Sequence, residues 1–179
     1  MSVPAEPADH NAPESAAAAA VSRNTLIVGY GNALRSDDGF GWHAAALLAR
    51  DPRLSGARVT WQHQLTPELA VDFSKASLVV LIDISVDGKA GDISVRRLDP
   101  SPAAGSAWSH HIEPAALIAL AGELWGATPT VFVVSVGAAS LDVGDELSPA
   151  VERALPAVVD TVVAIVAEHG RPSGSPTAQ

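Results

Sequence analysis

The run from Leu78 to Asp83 constrains the fold most, because five consecutive apolar residues end there on a carboxylate. A run of this kind is typical of a strand that is covered on both faces, as in a parallel sheet between layers of helices. Thr25 to Tyr30 is a second short apolar run rich in β-branched residues, and Gly31 follows it. The sequence therefore predicts two buried strands in one central sheet.

The remaining segments continue an alternation of strands and helices. Arg58–His63 and Thr130–Val136 predict further strands, and Asp92–Leu98 predicts an edge strand, since Arg96 and Arg97 would be awkward inside a sheet. Amphipathic or capped stretches predict helices over about 39–50, 67–75, 114–124 and 149–168. We expect an α/β three-layer sandwich, with a twisted, mostly parallel sheet of about five strands and helices on both faces.

Length and composition limit the domain organisation. With 179 residues, 47% of them hydrophobic, the chain can bury one substantial core but not comfortably two. We expect a single domain over 24–169 between disordered tails, 1–23 and 170–179, that are rich in Ala, Pro, Ser and Gly. The first tail lacks the basic start of a signal peptide, and no apolar stretch reaches the roughly 20 residues of a membrane helix. A cytoplasmic protein fits these features.

Charge and cysteine content exclude several classes of function. The formal net charge is -9, and the 11 Lys and Arg residues are scattered, so neither nucleic acid nor an anionic membrane is an expected partner. Without cysteine the chain can form no disulfide, thiolate zinc site, iron–sulfur cluster or cysteine nucleophile. Any metal would be bound by His, Asp, Glu or backbone oxygen.

The segment from Gly29 to Gly41 carries the most chemical information. It leaves a predicted strand, turns through two glycines and presents two adjacent carboxylates before a helix. A nucleotide or cofactor-binding module is the alternative interpretation of such a loop. However, Leu34 stands where the third glycine of a dinucleotide motif belongs, and Trp61-Gln62-His63 ends the next strand without an acidic residue. Both departures disfavour that alternative.

The two adjacent carboxylates are expected to have different roles, because neighbouring side chains before a helix point in different directions. We predict that Asp37 is a helix N-cap that accepts hydrogen bonds from unpaired amides. Asp38 is then free to face the crevice beyond the strand ends, where ligands of parallel sheets bind. Gly29, Gly31 and Asn32 are assigned to loop geometry and substrate approach, since Gly and Asn tolerate positive φ.

Asp83 and a pair of histidines complete the candidate site. A carboxylate after an apolar strand must be solvated, hydrogen-bonded or metal-bound, and Asp83 could also serve only as the start of an Asx-turn. His110 and His111 precede a predicted helix, again on the carboxyl side of the sheet. Two carboxylates and one imidazole from separate loops form an N/O ligand set with open positions, suited to a borderline divalent ion.

Together these segments resemble the nickel–iron hydrogenase maturation peptidases. The hallmark of that family is a Gly-x-Gly-Asn loop that runs into Asp-Asp/Glu and a further Gly, followed by a strand-end Asp and a loop His. It is matched here by Gly29 to Gly41, Leu81-Ile82-Asp83 and Ser109-His110. The resemblance covers Asn24 to His169.

The resemblance implies an endopeptidase, of aspartyl or metallo type, that removes a C-terminal extension from a hydrogenase large-subunit precursor after nickel insertion. Asp38, Asp83 and His110 would be the catalytic and metal-contacting residues; His111 is the rival to His110, whose assignment rests on Ile112 two places on. The resemblance further implies that the nickel arrives with the substrate. We also expect that no organic cofactor is used and that the protein is a monomer.

The resemblance leaves the mechanism and the specificity open. A water polarised by the metal could attack the peptide bond. Alternatively, the metal could serve only as an anchor while a carboxylate acts as general base. A third possibility is an assembly protein that binds the precursor without cutting it. We expect specificity to reside in the surface loops 87–91 and 135–146.

Overall fold

The computed structural model describes residues 24–100 and 112–169. The predicted tails, 1–23 and 170–179, lie outside the described residues, and so do His110 and His111. Five strands form a single sheet in the order β2-β1-β3-β5-β4. Their bounds are Thr25–Tyr30 for β1, Arg58–Gln62 for β2, Leu78–Ser85 for β3, Ile93–Leu98 for β4 and Thr130–Gly137 for β5.

The pairing of the strands confirms the predicted mostly parallel sheet. β1 pairs in parallel with β2 and β3, and β3 pairs in parallel with β5. β4 runs antiparallel to β5 at the edge. Arg96 and Arg97 are exposed there, as the edge-strand prediction requires.

Helices and short 3₁₀ turns connect the strands. The helices are α1 (Phe40–Leu48), α2 (Leu69–Lys75), α3 (Pro114–Trp125), α4 (Pro149–Glu152) and α5 (Leu155–His169), and 3₁₀ turns span Ser36–Gly39 and Pro52–Leu54. The prediction of one continuous helix over 149–168 is wrong. Pro156 has no N–H to bond to the carbonyl of Glu152, so α4 ends and α5 begins anew.

Alternate residues of the central strands contribute to two separate hydrophobic cores. Ile27, Val80 and Val134 point towards α1 and α5. Leu26 and Val79, which belong to the same strands, point towards α2 and α3 on the opposite face. This two-sided burial explains the uninterrupted apolar run in β3 and confirms the three-layer α/β sandwich. In the described parts of the chain, no helix is long and apolar enough to cross a membrane.

The order of the strands places a crevice at the carboxyl edge of the sheet. From β1 the chain passes through α1 to β2 on one side, and from β2 it returns through α2 to β3 on the other side. β1 leads to β2 on one side of the β1–β3 pair, and β3 leads to β4 and β5 on the other side, so the segments that leave β1 and β3 diverge. Open α/β sheets bind ligands at such switch points.

Candidate active site

The loop after β1 is shaped by close backbone contacts. Gly31 has a φ of 132°, and a Cβ there would lie 1.9 Å from the carbonyl oxygen of Asp38. The amide of Gly31 also bonds to the carbonyl of Gln62 at 3.1 Å, which ties the loop to the end of β2. Only glycine fits this position, and the tight turn brings the acidic residues back over the sheet.

Gly29 serves a different purpose from Gly31. A Cβ on Gly29 would lie 1.9 Å from the carbonyl oxygen of Gly41, and one on Gly41 would lie 2.4 Å from that of Tyr30. These two glycines let the first turn of α1 rest directly on β1. Gly31 and Asn32 line the cleft described below, whereas Gly29 lies beneath the helix.

Asp38 is held at the edge of the cleft by the glycine loop. Its Oδ2 accepts a hydrogen bond of 3.1 Å from the amide of Asn32, and the side chain of Asn32 accepts one from the amide of Leu34 at 3.0 Å. The Asp38 side chain is half-buried and lines the cleft. The loop thus orients this carboxylate while leaving part of it accessible.

Asp37 is fully buried and does not cap α1, so the N-cap prediction is wrong. The N-cap residue of α1 is Gly39, without a side-chain bond, because the Asp37 carboxylate points away from the helix. It accepts bonds from the amides of Ala139, Ser140 and Ser148 at 2.8, 2.9 and 2.7 Å, and from the Ser148 hydroxyl at 3.0 Å. Burial alone would raise the pKa of Asp37, but these hydrogen bonds outweigh it and hold the pKa below its usual range.

Backbone bonds extend this link into a continuous seam between residues 34–38 and 139–148. The amide of Ser36 donates to the carbonyl of Gly144 at 2.8 Å, and the amide of Gly144 donates to the carbonyl of Leu34 at 3.1 Å. Arg35 Nε adds a bond of 3.2 Å to the carbonyl of Leu141. We call this feature the loop seam. It fixes the segment that carries Asp38 against the loop that follows β5.

Asp83 lies inside β3, two residues before its end, where it pairs with Ser135 of β5. The expectation of a strand-end residue is therefore wrong by two positions. Its Oδ1 accepts a 2.7 Å bond from the amide of Ile84. Burial, together with the charge of Asp38, raises the pKa of Asp83 to about 6, although the Tyr30 hydroxyl and the Ile84 amide act in the opposite direction.

The two carboxylates face one cleft of about 370 Å³ at the carboxyl edge of the sheet. His63, which follows β2, and Glu113, which precedes α3, also line it. Sequence reasoning gave neither residue a role. Their positions in the sequence could have indicated them. His63 ends a predicted strand and Glu113 directly precedes a predicted helix, and such positions meet at the carboxyl edge of a parallel sheet.

The third predicted ligand, His110, and its rival His111 lie outside the described residues. The chain that follows them reaches the cleft, because Ile112 and Glu113 line it. Within residues 24–100 and 112–169, no three His, Asp or Glu side chains are grouped as a metal site. The described part of the predicted ligand set therefore consists of the two carboxylates, Asp38 and Asp83.

No protein-family model and no curated protein matches the sequence. Solved structures do match. A hydrogenase 2 maturation peptidase from Thaumarchaeota archaeon SCGC_AB-539-E09 is 24% identical, with a TM-score of 0.62 over 80% of this chain and 98% of that one. The hydrogenase-maturating endopeptidase HybD from E. coli is 22% identical, with a TM-score of 0.60 over 81% of this chain and 93% of that one.

The solution structure of an endopeptidase from Escherichia coli is similar as well. It is 21% identical to this chain, with a TM-score of 0.65, and the match covers 83% of this chain and 94% of that one. In all three comparisons nearly the whole of the solved protein is matched. The chain thus has the fold of solved hydrogenase maturation proteases.

Proposed function

We propose that this chain is an endopeptidase that removes the C-terminal extension of a nickel–iron hydrogenase large-subunit precursor after nickel insertion. The observation that carries the proposal is the pair of carboxylates, Asp38 and Asp83, which face one cleft at the switch point of this fold. The solved hydrogenase maturation proteases of the same fold support it. Catalytic sites in open α/β sheets are expected at this position.

In this proposal the nickel belongs to the substrate and is not a resident cofactor of the enzyme. Carboxylates and an imidazole are suitable ligands for a divalent ion of this kind, and Asp38, Asp83 and His110 would contact it while the precursor is bound. Recognition through the metal would restrict cleavage to precursors that already carry nickel. The volume of the cleft, about 370 Å³, suits a short extended peptide next to the metal.

Hydrolysis by water, without a covalent intermediate, agrees with the side chains that line the cleft. Among the described residues, no Ser, Thr, Cys or Lys lines it. A water oxygen would attack the carbonyl carbon of the peptide, and the proton of the water would pass through a carboxylate to the departing amine. Polarisation of that water by the substrate's nickel and general-base catalysis by a carboxylate are the two routes compatible with this set.

The alternative of a nucleotide-binding module is disfavoured by the hydrogen bonds of the glycine loop. A phosphate site needs backbone amides that point freely at the anion. Here the amide of Asn32 is already bonded to the Asp38 carboxylate, and the amide of Gly31 is bonded to the carbonyl of Gln62. The negative charge of Asp38 beside the loop would also repel a phosphate.

Trimming of a nickel-loaded large-subunit precursor tests the proposal directly. We expect that Asp38→Asn, Asp83→Asn and His110→Ala each abolish trimming while the fold is retained, because each removes a group that contacts the metal or the reacting water. The measurement is the shift of the precursor on a denaturing gel, with and without nickel. Asp160→Asn, which changes an exposed acid on α5, is the matched control and should trim normally.

The outcomes separate the competing functions. Full trimming by all three variants would contradict the assigned site. Binding of the precursor without trimming by the wild-type chain would instead identify an assembly protein. Retention of a nucleotide by the purified chain would favour the nucleotide-binding module.

A further inference from the structure

Among the five described strands, β2 lies at an edge of the sheet and pairs only with β1. The bond from the Gly31 amide to the Gln62 carbonyl shows that the backbone groups of Gln62 face β1. The direction of these groups alternates along a strand, so the backbone groups of Val59 and Trp61 face away from the sheet. In the part of the chain that the structure describes, nothing bonds to them. The outer side of β2 thus offers unpaired donors and acceptors to a further strand.

The two edges of the sheet differ in how well they are protected against pairing. β4, at the opposite edge, carries the exposed Arg96 and Arg97, and exposed charge keeps other strands away. β2 has one charged residue, Arg58 at its start, and that side chain is paired with Asp72 of α2. The rest of β2 has neither a charge nor a proline, and Trp61 there is 51% exposed. This edge is therefore suited to bind an extended chain and not to repel one.

The open edge leads directly into the cleft. β2 runs towards the carboxyl edge of the sheet, and the two residues that follow it, His63 and Gln64, line the cleft together with Asp38 and Asp83. A peptide whose scissile bond lies at the two carboxylates can thus continue from the cleft onto the outer side of β2 without a break.

The direction of β2 decides which part of the precursor fits on this edge. The chain on the amino side of the scissile bond is attached to the folded large subunit, whereas the extension on the carboxyl side has a free end. The extension begins in the cleft and leads away from it, so along this edge it runs in the direction opposite to β2. Pairing of this kind uses backbone hydrogen bonds and depends little on the side chains of the added strand.

We infer that the C-terminal extension of the precursor binds as an added strand, antiparallel to β2, on the open edge next to the cleft. The inference rests on the function proposed above. In this arrangement Trp61 and Val59 each exchange two hydrogen bonds with one residue of the extension, and those two residues are separated by one other. About five residues, at roughly 3.4 Å each, suffice to reach from the cleft along this part of β2. The side chain opposite Trp61 packs against its exposed indole ring.

The first experiment tests the pairing from the side of the precursor. Proline is placed in turn at each position of the extension, from the second residue after the scissile bond onwards, and KM for trimming of the nickel-loaded precursor is measured. Because proline has no N–H, we expect it to raise KM about 10-fold opposite Trp61 and Val59 and to leave KM nearly unchanged at the residue between them. Equal effects at adjacent positions would overturn the inference, since the alternation is specific to a paired strand.

The second experiment changes the edge of the enzyme. Trp61→Pro removes the amide that faces outwards and leaves the bonds between β2 and β1 in place. We expect KM to rise about 10-fold with kcat unchanged, because the lost contact is far from the reacting bond. Trp61→Val is the matched control: it keeps the amide in a residue that favours strands, and it should raise KM much less. An equal rise in both variants would overturn the inference, because the indole ring alone would then account for the binding.

Thermal melting shows whether both variants retain the fold. The proline scan leaves the enzyme unchanged, so it decides the question even if Trp61→Pro does not fold.

The remaining outcomes separate the inference from the proposed function and from another occupant of the edge. If the wild type trims the precursor, while Trp61→Pro has a wild-type KM and the scan shows no alternation, the added strand is overturned and the proposed function stands. If the wild-type chain trims no precursor, both fail. A wild-type dimer in analytical ultracentrifugation that Trp61→Pro converts into a monomer would identify a second copy of this chain as the occupant and overturn the inference.

Discussion

Asp37 and Asp38 are neighbours in the sequence but have opposite environments. Asp37 is fully buried and accepts four hydrogen bonds, whereas Asp38 is half-buried, accepts one bond from the Asn32 amide and faces the cleft. A buried carboxylate without partners would cost several kcal/mol, so the four donors are what makes the burial of Asp37 possible. Asp37 therefore stabilises the contact between two loops, whereas Asp38 remains available for catalysis or metal binding.

The environment of Asp83 predicts a stability that depends on pH. Its pKa is about 6 in the folded protein, against an ordinary value of 3.8. Between these values the folded protein keeps a proton that the unfolded chain has released, so the free energy of unfolding falls as the pH rises through this window. Above about pH 6 the free energy of unfolding is lowered by the full amount, which is at most about 3 kcal/mol.

Asp83→Asn removes the ionisable group and so should remove this penalty. We expect the metal-free variant to be more stable than the wild type at about pH 8, with the difference shrinking below about pH 4. Urea unfolding at a series of pH values measures it. The argument would be refuted if the free energy of unfolding of the wild type rose, relative to that of Asp83→Asn, as the pH increases from about 4 to about 8.

At the scale of elements, the loop seam joins two segments whose positions decide the site. Residues 34–38 lead directly to Asp38, and residues 139–148 lead from β5 to α4. Asp37 lies at the centre of this seam, where its carboxylate receives the amides of three residues in the second segment. Loss of that acceptor should loosen the whole seam.

Asp37→Asn tests the seam with almost no change in volume. The side-chain NH₂ of Asn would face backbone amides that are themselves donors, and the charged acceptor would be lost. We therefore expect a loss of about 2 to 4 kcal/mol in the free energy of unfolding. Chemical denaturation measures this loss. Asp145→Asn, an exposed acid of the same loop, is the control and should stay within about 0.5 kcal/mol of wild type. Equal stability of both variants would contradict the role of Asp37.

The strands and the location of the cleft could be predicted because they depend on local patterns. The apolar run of β3 identifies a buried strand, and Arg96 and Arg97 identify the edge strand. The role of Asp37 could not be predicted in this way. Three of its four donors are backbone amides that lie 102 to 111 residues away, and a backbone donor leaves no mark in the sequence.

At the scale of the whole molecule, the loop seam presents an apolar surface beside the cleft. Leu34 is 69% exposed and Val143 is 93% exposed, and the bond from the Gly144 amide to the Leu34 carbonyl holds their segments together. Segment 135–146 was predicted to be a loop that carries specificity; its first three residues belong to β5, and its role in specificity stays a prediction. Exposed apolar side chains on a fixed loop are suited to contact with a protein partner, because little entropy is lost when they bind.

Replacement of both side chains in Leu34→Ser/Val143→Ser tests this surface as part of substrate recognition. Neither residue lines the cleft, so the chemistry should be unaffected, while the precursor loses apolar contact. We expect KM for a nickel-loaded precursor to rise about 10-fold at unchanged kcat, since two lost apolar contacts correspond to roughly 1 to 2 kcal/mol. Leu124→Ser, which changes an exposed leucine near the far end of α3, is the control and should leave both constants unchanged. If the double variant instead lowers kcat at constant KM, the seam shapes the active site and does not bind the partner, because its loosening would then displace Asp38.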